Sequence, residues 1–278
     1  MKKLYFFFSF LINSNIFVSC CILSLCLSSE FILLNSKISF PSKVSQFVFF
    51  ASIFTYNFQR IVRLKLLEIH PKKDWIKINK SFIYIIMIIA VIISLYFFIN
   101  FKNTATQIII VLCGLLSVLY PFILRSIPFL KIFIISFVWT LSTMFLVVVE
   151  NEIPLNNNII LHLVSRFLFV FAICIPFDIR DLKHDNIRIK TLPIVFGVSK
   201  SRLIAFSSLL IAMIISVFQS LTNYLNTEFL VSFMVLFVIA AILINKSDEK
   251  KPNFFFSFWI ESLSIFLYLF LVISISIF

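Results

Sequence analysis

Long apolar runs separated by short polar stretches dominate the chain. A bilayer core about 30 Å thick is crossed by an α-helix of about 20 predominantly apolar residues. Runs of this kind are candidate membrane spans, and they cover residues 4–27, 44–60, 81–100, 106–124, 129–149, 158–177, 202–222, 228–245 and 254–277. The pattern predicts an all-α, multi-pass membrane helical bundle of about nine transmembrane helices, which forms a single domain over residues 1–278.

The overall composition supports this interpretation. Of the 278 residues, 61% are hydrophobic and 13% are charged, and the mean hydropathy is +1.09. A soluble domain has a much lower apolar share and roughly twice as many charged residues. The beginning of the chain imitates a signal peptide, but its apolar run is too long and lacks a small-residue cleavage site, so we interpret it as the first span.

The net charge of +12 could in principle indicate a nucleic-acid partner. With the N-terminus inside, however, 20 of the 24 basic residues fall on the inner side of the predicted spans. The positive-inside rule therefore explains the charge, and we expect no nucleic-acid partner. The two longer polar connections, 61–80 and 178–201, lie on the same side, so an active site should face the cytoplasm. The abundance of Ile, Asn, Lys and Phe is typical of an AT-rich genome and favours a bacterial inner membrane.

Three aspartates follow the sixth predicted span, at Asp178, Asp181 and Asp185. On a helix their spacing of i, i+3 and i+7 places them on one face, where their like charges repel. Mg²⁺ would compensate them, because it is typically bound by one or two carboxylates together with substrate phosphates. Nearby basic residues could counter a diphosphate: Arg180, Lys183, Arg188 and Lys190. The alternative is a solvated loop whose mixed charges pair with one another.

The run Asp-Ile-Arg-Asp-Leu-Lys-His-Asp from Asp178 to Asp185, with Lys190-Thr191-Leu192-Pro193 and Gly197 after it, resembles the second aspartate motif of the UbiA-type polyprenyltransferases. A second stretch resembles the loop between the fourth and fifth helices of that family, and it comprises Leu119-Tyr120-Pro121, Arg125, Pro128-Phe129-Leu130-Lys131 and Trp139-Thr140. Members of the family are nine-helix membrane enzymes that transfer a prenyl chain from its diphosphate to an aromatic or other lipophilic acceptor.

The resemblance implies a UbiA-like fold, a Mg²⁺ cofactor, and a polyprenyl diphosphate, a lipophilic acceptor and the lipid bilayer as partners. It implies that Asp178, Asp181 and Asp185 are the catalytic and metal-binding residues. The residues implied to bind the substrate diphosphate are Asn57, Arg60, Tyr120, Arg125, Lys131 and Lys190. Tyr120 or Trp139 could face a carbocation formed from the prenyl group. The acceptor stays open among a quinone precursor, haem, chlorin, a sugar and a lipid.

The first aspartate motif of the family is not preserved. In the family an asparagine is followed by aspartates one, four and eight residues later, whereas this chain keeps Asn57 and has Phe58, Ile61 and Lys65 at the acidic positions. One neutral amide oxygen is a poor anchor for Mg²⁺, so a second metal site cannot be built there.

Two hypotheses follow from this loss. In the first, a basic side chain replaces the lost metal as a clamp on the diphosphate and one Mg²⁺ remains at the aspartates; the candidates are Arg60, Arg63 and Lys65. In the second, catalysis is lost and the chain binds a lipid diphosphate or acts as a structural partner. A transporter is the third possibility, but the chain lacks inverted repeats and Gly/Pro-broken helices in both halves.

Two further charged residues lie within predicted spans. Arg166 is costly in a bilayer, so it either faces a wet cavity or a carboxylate or snorkels to the interface. Glu261 either forms a hydrogen bond across helices or orients an acceptor. Finally, Pro176 precedes the aspartates, and we expect a kink or break in the helix there.

Overall fold

The computed structural model describes residues 2–34, 41–66, 73–182 and 190–277, which form helices and contain no strand. Helices are expected, because apolar runs in a bilayer must satisfy their backbone hydrogen bonds within the segment. The α-helices are α1 (Lys2–Asn13), α2 (Ile16–Leu34), α3 (Lys43–Leu66), α4 (Lys73–Ile78), α5 (Lys80–Ile99), α6 (Thr104–Leu119), α7 (Leu130–Thr140), α8 (Leu146–Glu150), α9 (Asn157–Asp181), α10 (Leu192–Leu221), α11 (Thr227–Asn245) and α12 (Leu263–Ile277). A π-helical turn over Leu141–Phe145 joins α7 to α8, and a second over Phe255–Ile260 precedes α12.

Among the described residues, seven helical segments are long and apolar enough to cross a membrane. They correspond to α2, α5, α7 with α8, α9, α10, α11, and α12 with its preceding π turn. Two further predicted spans are helical but differ in character. α6 has only 16 residues, and α3 has 24 residues but carries basic residues near both ends. The prediction of a helical membrane bundle is confirmed, and its count of nine is approximate.

The first predicted span, 4–27, is displaced in the structure. The run is divided between α1 and α2, and Asn15 at the division has a left-handed backbone with φ of 61°. Asparagine adopts this conformation more readily than most residues. The polar sequence Asn13-Ser14-Asn15 interrupts the apolar run at this point. The membrane-length helix therefore begins at Ile16.

α9, α10, α11 and α12 pack in chain order, and α12 returns to pack against α2. α9 contacts both α7 and α10, while α2 and α5 flank α3. Successive spans run in opposite directions, so α3, α6, α9 and α11 all finish at one end of the bundle. We call this the basic end, because Arg60, Arg63, Arg125 and Lys131 lie there.

Buried polar side chains connect the helices inside the bundle. The Arg166 guanidinium donates hydrogen bonds to the carbonyl oxygen of Leu25 at 2.9 Å and to Ser29 Oγ at 3.1 Å. Arg166 therefore ties α9 to α2, which neither alternative from the sequence included. Ser45 Oγ donates to a Glu30 carboxylate oxygen at 2.8 Å and ties α3 to α2. Such bonds are typical of membrane helix interfaces.

One helix irregularity was expected near the aspartates, a kink or break at Pro176, and the structure contains an unpredicted one at Gly197. α9 continues through Pro176 to Asp181, so the helix has no break there, and a kink at Pro176 stays a prediction. The interruption lies in α10 at Gly197, whose φ of 79° and ψ of 163° are not helical. This backbone conformation is essentially restricted to glycine. α10 begins at Leu192, ahead of the predicted start at residue 202, and Gly197 lies between these two positions.

The two glycines of the chain provide a matched test of this backbone. Gly197→Ala should lower the stability by about 1–3 kcal/mol, because a Cβ is strained at positive φ even though the space around it is open. Gly114→Ala, within α6, should be neutral or stabilising by up to about 1 kcal/mol, since an added Cβ meets nothing within 4 Å. Thermal unfolding in detergent measures both variants, and an equal loss in both would contradict the assignment.

Candidate functional site

A cavity of about 1370 Å³ lies within the bundle between α2, α3, α5, α6, α7 and α9. Along α3 its lining extends from Phe47 to Arg63, which at 1.5 Å per residue is about 24 Å. The part far from the basic end is apolar and is lined by residues such as Val48, Phe98 and Leu146. The cavity therefore has the shape and polarity for a long apolar molecule with one charged end.

Charged side chains line the cavity at the basic end. The basic ones are Arg60, Arg63, Arg125, Lys131, Arg180 and Lys251, and the acidic ones are Asp178, Asp181, Glu249 and Glu261. Among the described residues, the lining thus has a formal surplus of two positive charges. An anionic group would be attracted to this end of the cavity.

Lys131 lies between two of the predicted metal ligands. Its Nζ is 2.6 Å from Asp178 Oδ1 and 3.5 Å from Asp181 Oδ2. Lys131 is 7% exposed and Asp178 is 3% exposed, so this ion pair is almost completely removed from solvent. The contact joins the first turn of α7 to the last turns of α9.

The backbone at the start of α7 is fixed by the neighbouring connection. Phe129, which precedes α7, has a left-handed φ of 61°. Its N–H donates a hydrogen bond to the carbonyl oxygen of Lys190 at 3.0 Å, just before α10. The start of α7, which carries Lys131, is thereby attached to the segment that precedes α10.

A second cation pairs with Asp181. Arg180 Nε donates to Asp181 Oδ1 at 2.8 Å. The guanidinium of Arg180 also lies over the rings of Phe177 and Phe256, at 5.0 and 5.8 Å from their centroids. These ring contacts favour a fixed position for the cation. Both described aspartates are therefore already compensated by basic side chains.

The opposite wall of the site is held by a network at the division between α1 and α2. Arg60 donates to the carbonyl oxygen of Asn13 and to Asn15 Oδ1. Asn15 Nδ2 donates to Asn57 Oδ1 at 3.1 Å, and Asn57 Nδ2 donates to the carbonyl oxygens of Ser14 at 3.0 Å and Ile53 at 2.9 Å. This network fixes the Arg60 guanidinium at the cavity wall and uses the Asn57 side chain for structure.

Two of the three residues at the acidic positions of the first family motif, Phe58 and Ile61, face away from the cavity. Phe58 and Ile61 pack against the buried side chains of Ile76, Ile83 and Met87, in a cluster between α3, α4 and α5. The cavity face of α3 near the basic end is instead formed by Tyr56, Gln59, Arg60 and Arg63. α3 thus presents basic groups to the cavity.

Aromatic side chains lie between the charged end and the apolar part of the cavity. Trp139 Nε1 donates a hydrogen bond to Tyr56 Oη at 2.8 Å, and both residues line the cavity. The π turns adjoin this region, since Leu141–Phe145 follows Trp139 closely and Phe255–Ile260 precedes Glu261. Such turns occur frequently at functional sites.

The structure brings most of the predicted site residues together. Those that line the cavity are Arg60, Tyr120, Arg125, Lys131, Asp178 and Asp181. Asn57 is fully buried behind the wall, and the Lys190 side chain is exposed outside the cavity lining. Asp185 lies outside the described residues, and so does the Lys65 side chain. Sequence reasoning missed Asn15, although the polar sequence Asn13-Ser14-Asn15 in an apolar run could have indicated it.

The described side chains fit a metal ion poorly. Among residues 2–34, 41–66, 73–182 and 190–277, no group of three or more His, Cys, Asp or Glu side chains could hold one. Asp178 and Asp181 supply carboxylate oxygens, but Lys131 and Arg180 lie against them. To bridge Asp178 Oδ1 and Asp181 Oδ2, a cation would have to displace Lys131.

Comparison with known proteins identifies the family. The model of the UbiA prenyltransferase family matches residues 77–269. The chain belongs to the UbiA prenyltransferase family. The match includes α9 with Asp178 and Asp181 and excludes the whole of α3, which agrees with the loss of the first aspartate motif. No curated protein matches the chain.

Solved structures show the same UbiA fold. An apo UbiA homologue from Aeropyrum pernix K1 has a TM-score of 0.71 at 12% identity, over 94% of this chain and 98% of that one. A UbiA homologue from Archaeoglobus fulgidus, bound to GPP and Mg²⁺, has a TM-score of 0.69 at 12% identity, over 96% and 99%. A structure described for digeranylgeranylglyceryl phosphate synthase has a TM-score of 0.59 at 18% identity, over 99% of each chain.

The buried ion pair of Lys131 and Asp178 should show strong energetic coupling. Lys131→Gln and Asp178→Asn should each destabilise the protein, because each leaves an uncompensated buried group, and the double variant should recover part of the loss. We expect a coupling energy of about 1–3 kcal/mol in a double-mutant cycle measured by thermal unfolding in detergent without divalent cations.

The pair of Arg202 and Asp248 is a matched control for this cycle. Their charged atoms are 4.0 Å apart, and 48% of the Asp248 side chain is exposed. Coupling in the cycle of Arg202→Gln and Asp248→Asn should stay below about 1 kcal/mol. Equal coupling in the two cycles would contradict the buried contact at Lys131.

Proposed function

We propose that this chain binds a prenyl diphosphate in its cavity and transfers the prenyl group to a lipophilic, aromatic acceptor. The observation that carries the proposal is the cavity, which is apolar over most of its length and has a surplus of basic side chains at one end. A prenyl diphosphate has the same division into an apolar chain and a charged head. Membership of the UbiA prenyltransferase family supports the assignment, and so does the relative from Archaeoglobus fulgidus that is bound to GPP and Mg²⁺.

The diphosphate belongs at the basic end. Arg63 and Arg125 line the cavity there, and Arg125 is brought to it by a short 3₁₀ turn over Leu124–Ser126 that follows Tyr120. Guanidinium groups bind phosphate oxygens through paired N–H donors. Fixed donors also stabilise the negative charge that develops on a leaving diphosphate. The proposed diphosphate-binding residues are therefore Arg60, Arg63, Tyr120, Arg125 and Lys131.

The prenyl chain belongs in the apolar part. Heterolysis of the allylic C–O bond leaves its electron pair on the diphosphate and positive charge on the prenyl carbon. The rings of Tyr56 and Trp139 line the cavity next to the charged end, and their faces can stabilise such a cation. A nucleophilic atom of the acceptor then forms the new bond to the prenyl carbon and releases a proton.

The resemblance to the family implies Mg²⁺ at Asp178, Asp181 and Asp185, and the relative bound to GPP and Mg²⁺ supports this for the family. When bound, the ion would supply positive charge to the leaving diphosphate. The contacts of Asp178 and Asp181 with Lys131 and Arg180 do not fit this role as they stand.

A protein that binds the diphosphate without catalysis is the second candidate. It is favoured by α3, where Phe58 and Ile61 occupy the acidic positions and pack away from the cavity. In that case the basic end would hold the head group and no bond would break. Release of pyrophosphate distinguishes the two functions.

Pyrophosphate release by the purified protein in lipid nanodiscs tests the proposal. The wild type is given farnesyl or geranylgeranyl diphosphate and pooled aromatic acceptors, once with Mg²⁺ and once without it. We expect the wild type to release pyrophosphate. Arg63→Gln should reduce release about 10–100-fold, because a hydrogen bond to a charged group contributes about 1.5–3 kcal/mol. Lys80→Gln, an exposed change at the same end of the bundle, is the control and should leave release unchanged.

Two results would contradict this proposal. Binding of the diphosphate without release under any condition would favour the second candidate, the non-catalytic binder. A loss in Lys80→Gln equal to that in Arg63→Gln would contradict the assignment of the basic end as the diphosphate site.

A further inference from the structure

We propose that the ammonium group of Lys131 takes the place of a metal ion in the second aspartate motif, so that the prenyl diphosphate binds without a divalent cation. This inference rests on the proposed function and specifies how that site recognises its ligand. It follows from the contact of one buried cation with both described aspartates.

Lys131 Nζ occupies the position that a metal ion would need to bridge Asp178 Oδ1 and Asp181 Oδ2. Nζ lies 2.6 Å from Asp178 Oδ1 and 3.5 Å from Asp181 Oδ2. Mg²⁺ binds carboxylate oxygens at about 2.0–2.1 Å, so an ion that bridges these two oxygens would have to occupy the space of the ammonium group. A metal ion bound next to the Lys131 ammonium group would also be repelled strongly by it, because both are positively charged and the site is buried.

Arg180 completes the compensation of Asp181. Its Nε is 2.8 Å from Asp181 Oδ1, the oxygen that does not face Lys131. Each carboxylate oxygen of Asp181 thus has a cationic neighbour. The negative charge that would attract a metal ion is already balanced by the protein.

The facing wall makes the metal unnecessary as well. In a site with two aspartate motifs, carboxylates on both walls would repel a diphosphate, and metal ions must reverse the charge between them. Here α3 presents Arg60 and Arg63 to the cavity, while α7 and α9 present carboxylates that Lys131 and Arg180 compensate. The cavity lining is therefore positive before any metal binds, which meets the electrostatic requirement of a diphosphate.

The ammonium group is also positioned in advance. Lys131 lies in the first turn of α7 and is 7% exposed. Phe129, two residues before Lys131, donates a backbone hydrogen bond to the carbonyl oxygen of Lys190, just before α10. A buried cation that is fixed in this way costs little reorganisation when the ligand enters.

The first arm of the test uses the wild type. Affinity for geranylgeranyl diphosphate is measured in phosphatidylcholine nanodiscs, once with EDTA and once with Mg²⁺. We expect the two dissociation constants to agree within about threefold, since a contribution from a bound metal would exceed tenfold, or about 1.4 kcal/mol. Binding that requires Mg²⁺ would overturn the inference while leaving the proposed function intact. No binding in either condition would overturn the proposed function itself.

The second arm asks whether removal of the ammonium group creates a metal site. Mn²⁺ serves as the probe, and its binding is followed by electron paramagnetic resonance without any prenyl ligand. Wild type and Lys80→Gln should show only the background of the nanodiscs. Lys131→Gln should bind Mn²⁺, and its thermal stability should rise when Mn²⁺ is added. Its affinity for the prenyl diphosphate should be at least about tenfold higher with a divalent cation than without one.

Two outcomes of this arm would overturn the inference. One is Mn²⁺ binding by the wild type that matches or exceeds that of Lys131→Gln. The other is a well-folded Lys131→Gln protein that neither binds Mn²⁺ nor changes its metal requirement. Where Lys131→Gln does not fold, the wild-type titration still decides, because specific Mn²⁺ binding to the wild type contradicts the proposed role of Lys131.

Discussion

The contact of Lys131 with Asp178 and Asp181 links the architecture of the bundle to the properties of its cavity. Charged groups near the bilayer are costly unless they are paired, and here the pairing joins α7 to α9 at the basic end. One consequence is mechanical, because the two helices that form one wall of the cavity are fixed to each other. The second is electrostatic, because the aspartates no longer give the cavity a negative end.

In the opposite wall of the cavity, buried polar groups also need partners, and different side chains provide them. The division between α1 and α2 exposes backbone carbonyl groups inside an apolar bundle, where they need partners. Arg60 and Asn57 provide them, and Asn15 connects the two side chains. The guanidinium of Arg60 is thus held at the cavity while Asn57 is withdrawn from it. Together the two walls leave a long apolar cavity with fixed basic groups at one end, which is the basis of the proposed function.

Much of the fold could be predicted from the sequence, because membrane spans are set by the length of apolar runs and their common side by the distribution of Lys and Arg. The division at Asn15 was missed, since the overall apolar length concealed three polar residues. The continuity of α9 through Pro176 depends on neighbouring helices that a local pattern does not contain. The pairing of Lys131 with Asp178 was missed for the same reason, because spacing along one helix predicts a face but not the side chain that α7 brings to it.

The most direct test of the central claim is anomalous diffraction at the manganese edge from crystals of the wild type grown with geranylgeranyl diphosphate and Mn²⁺. The account predicts diphosphate density in contact with Arg63 and Lys131 and no manganese peak within about 3 Å of the carboxylate oxygens of Asp178 and Asp181, the range that includes metal–oxygen bonds. A strong manganese peak between those two aspartates, with Lys131 displaced, would contradict it.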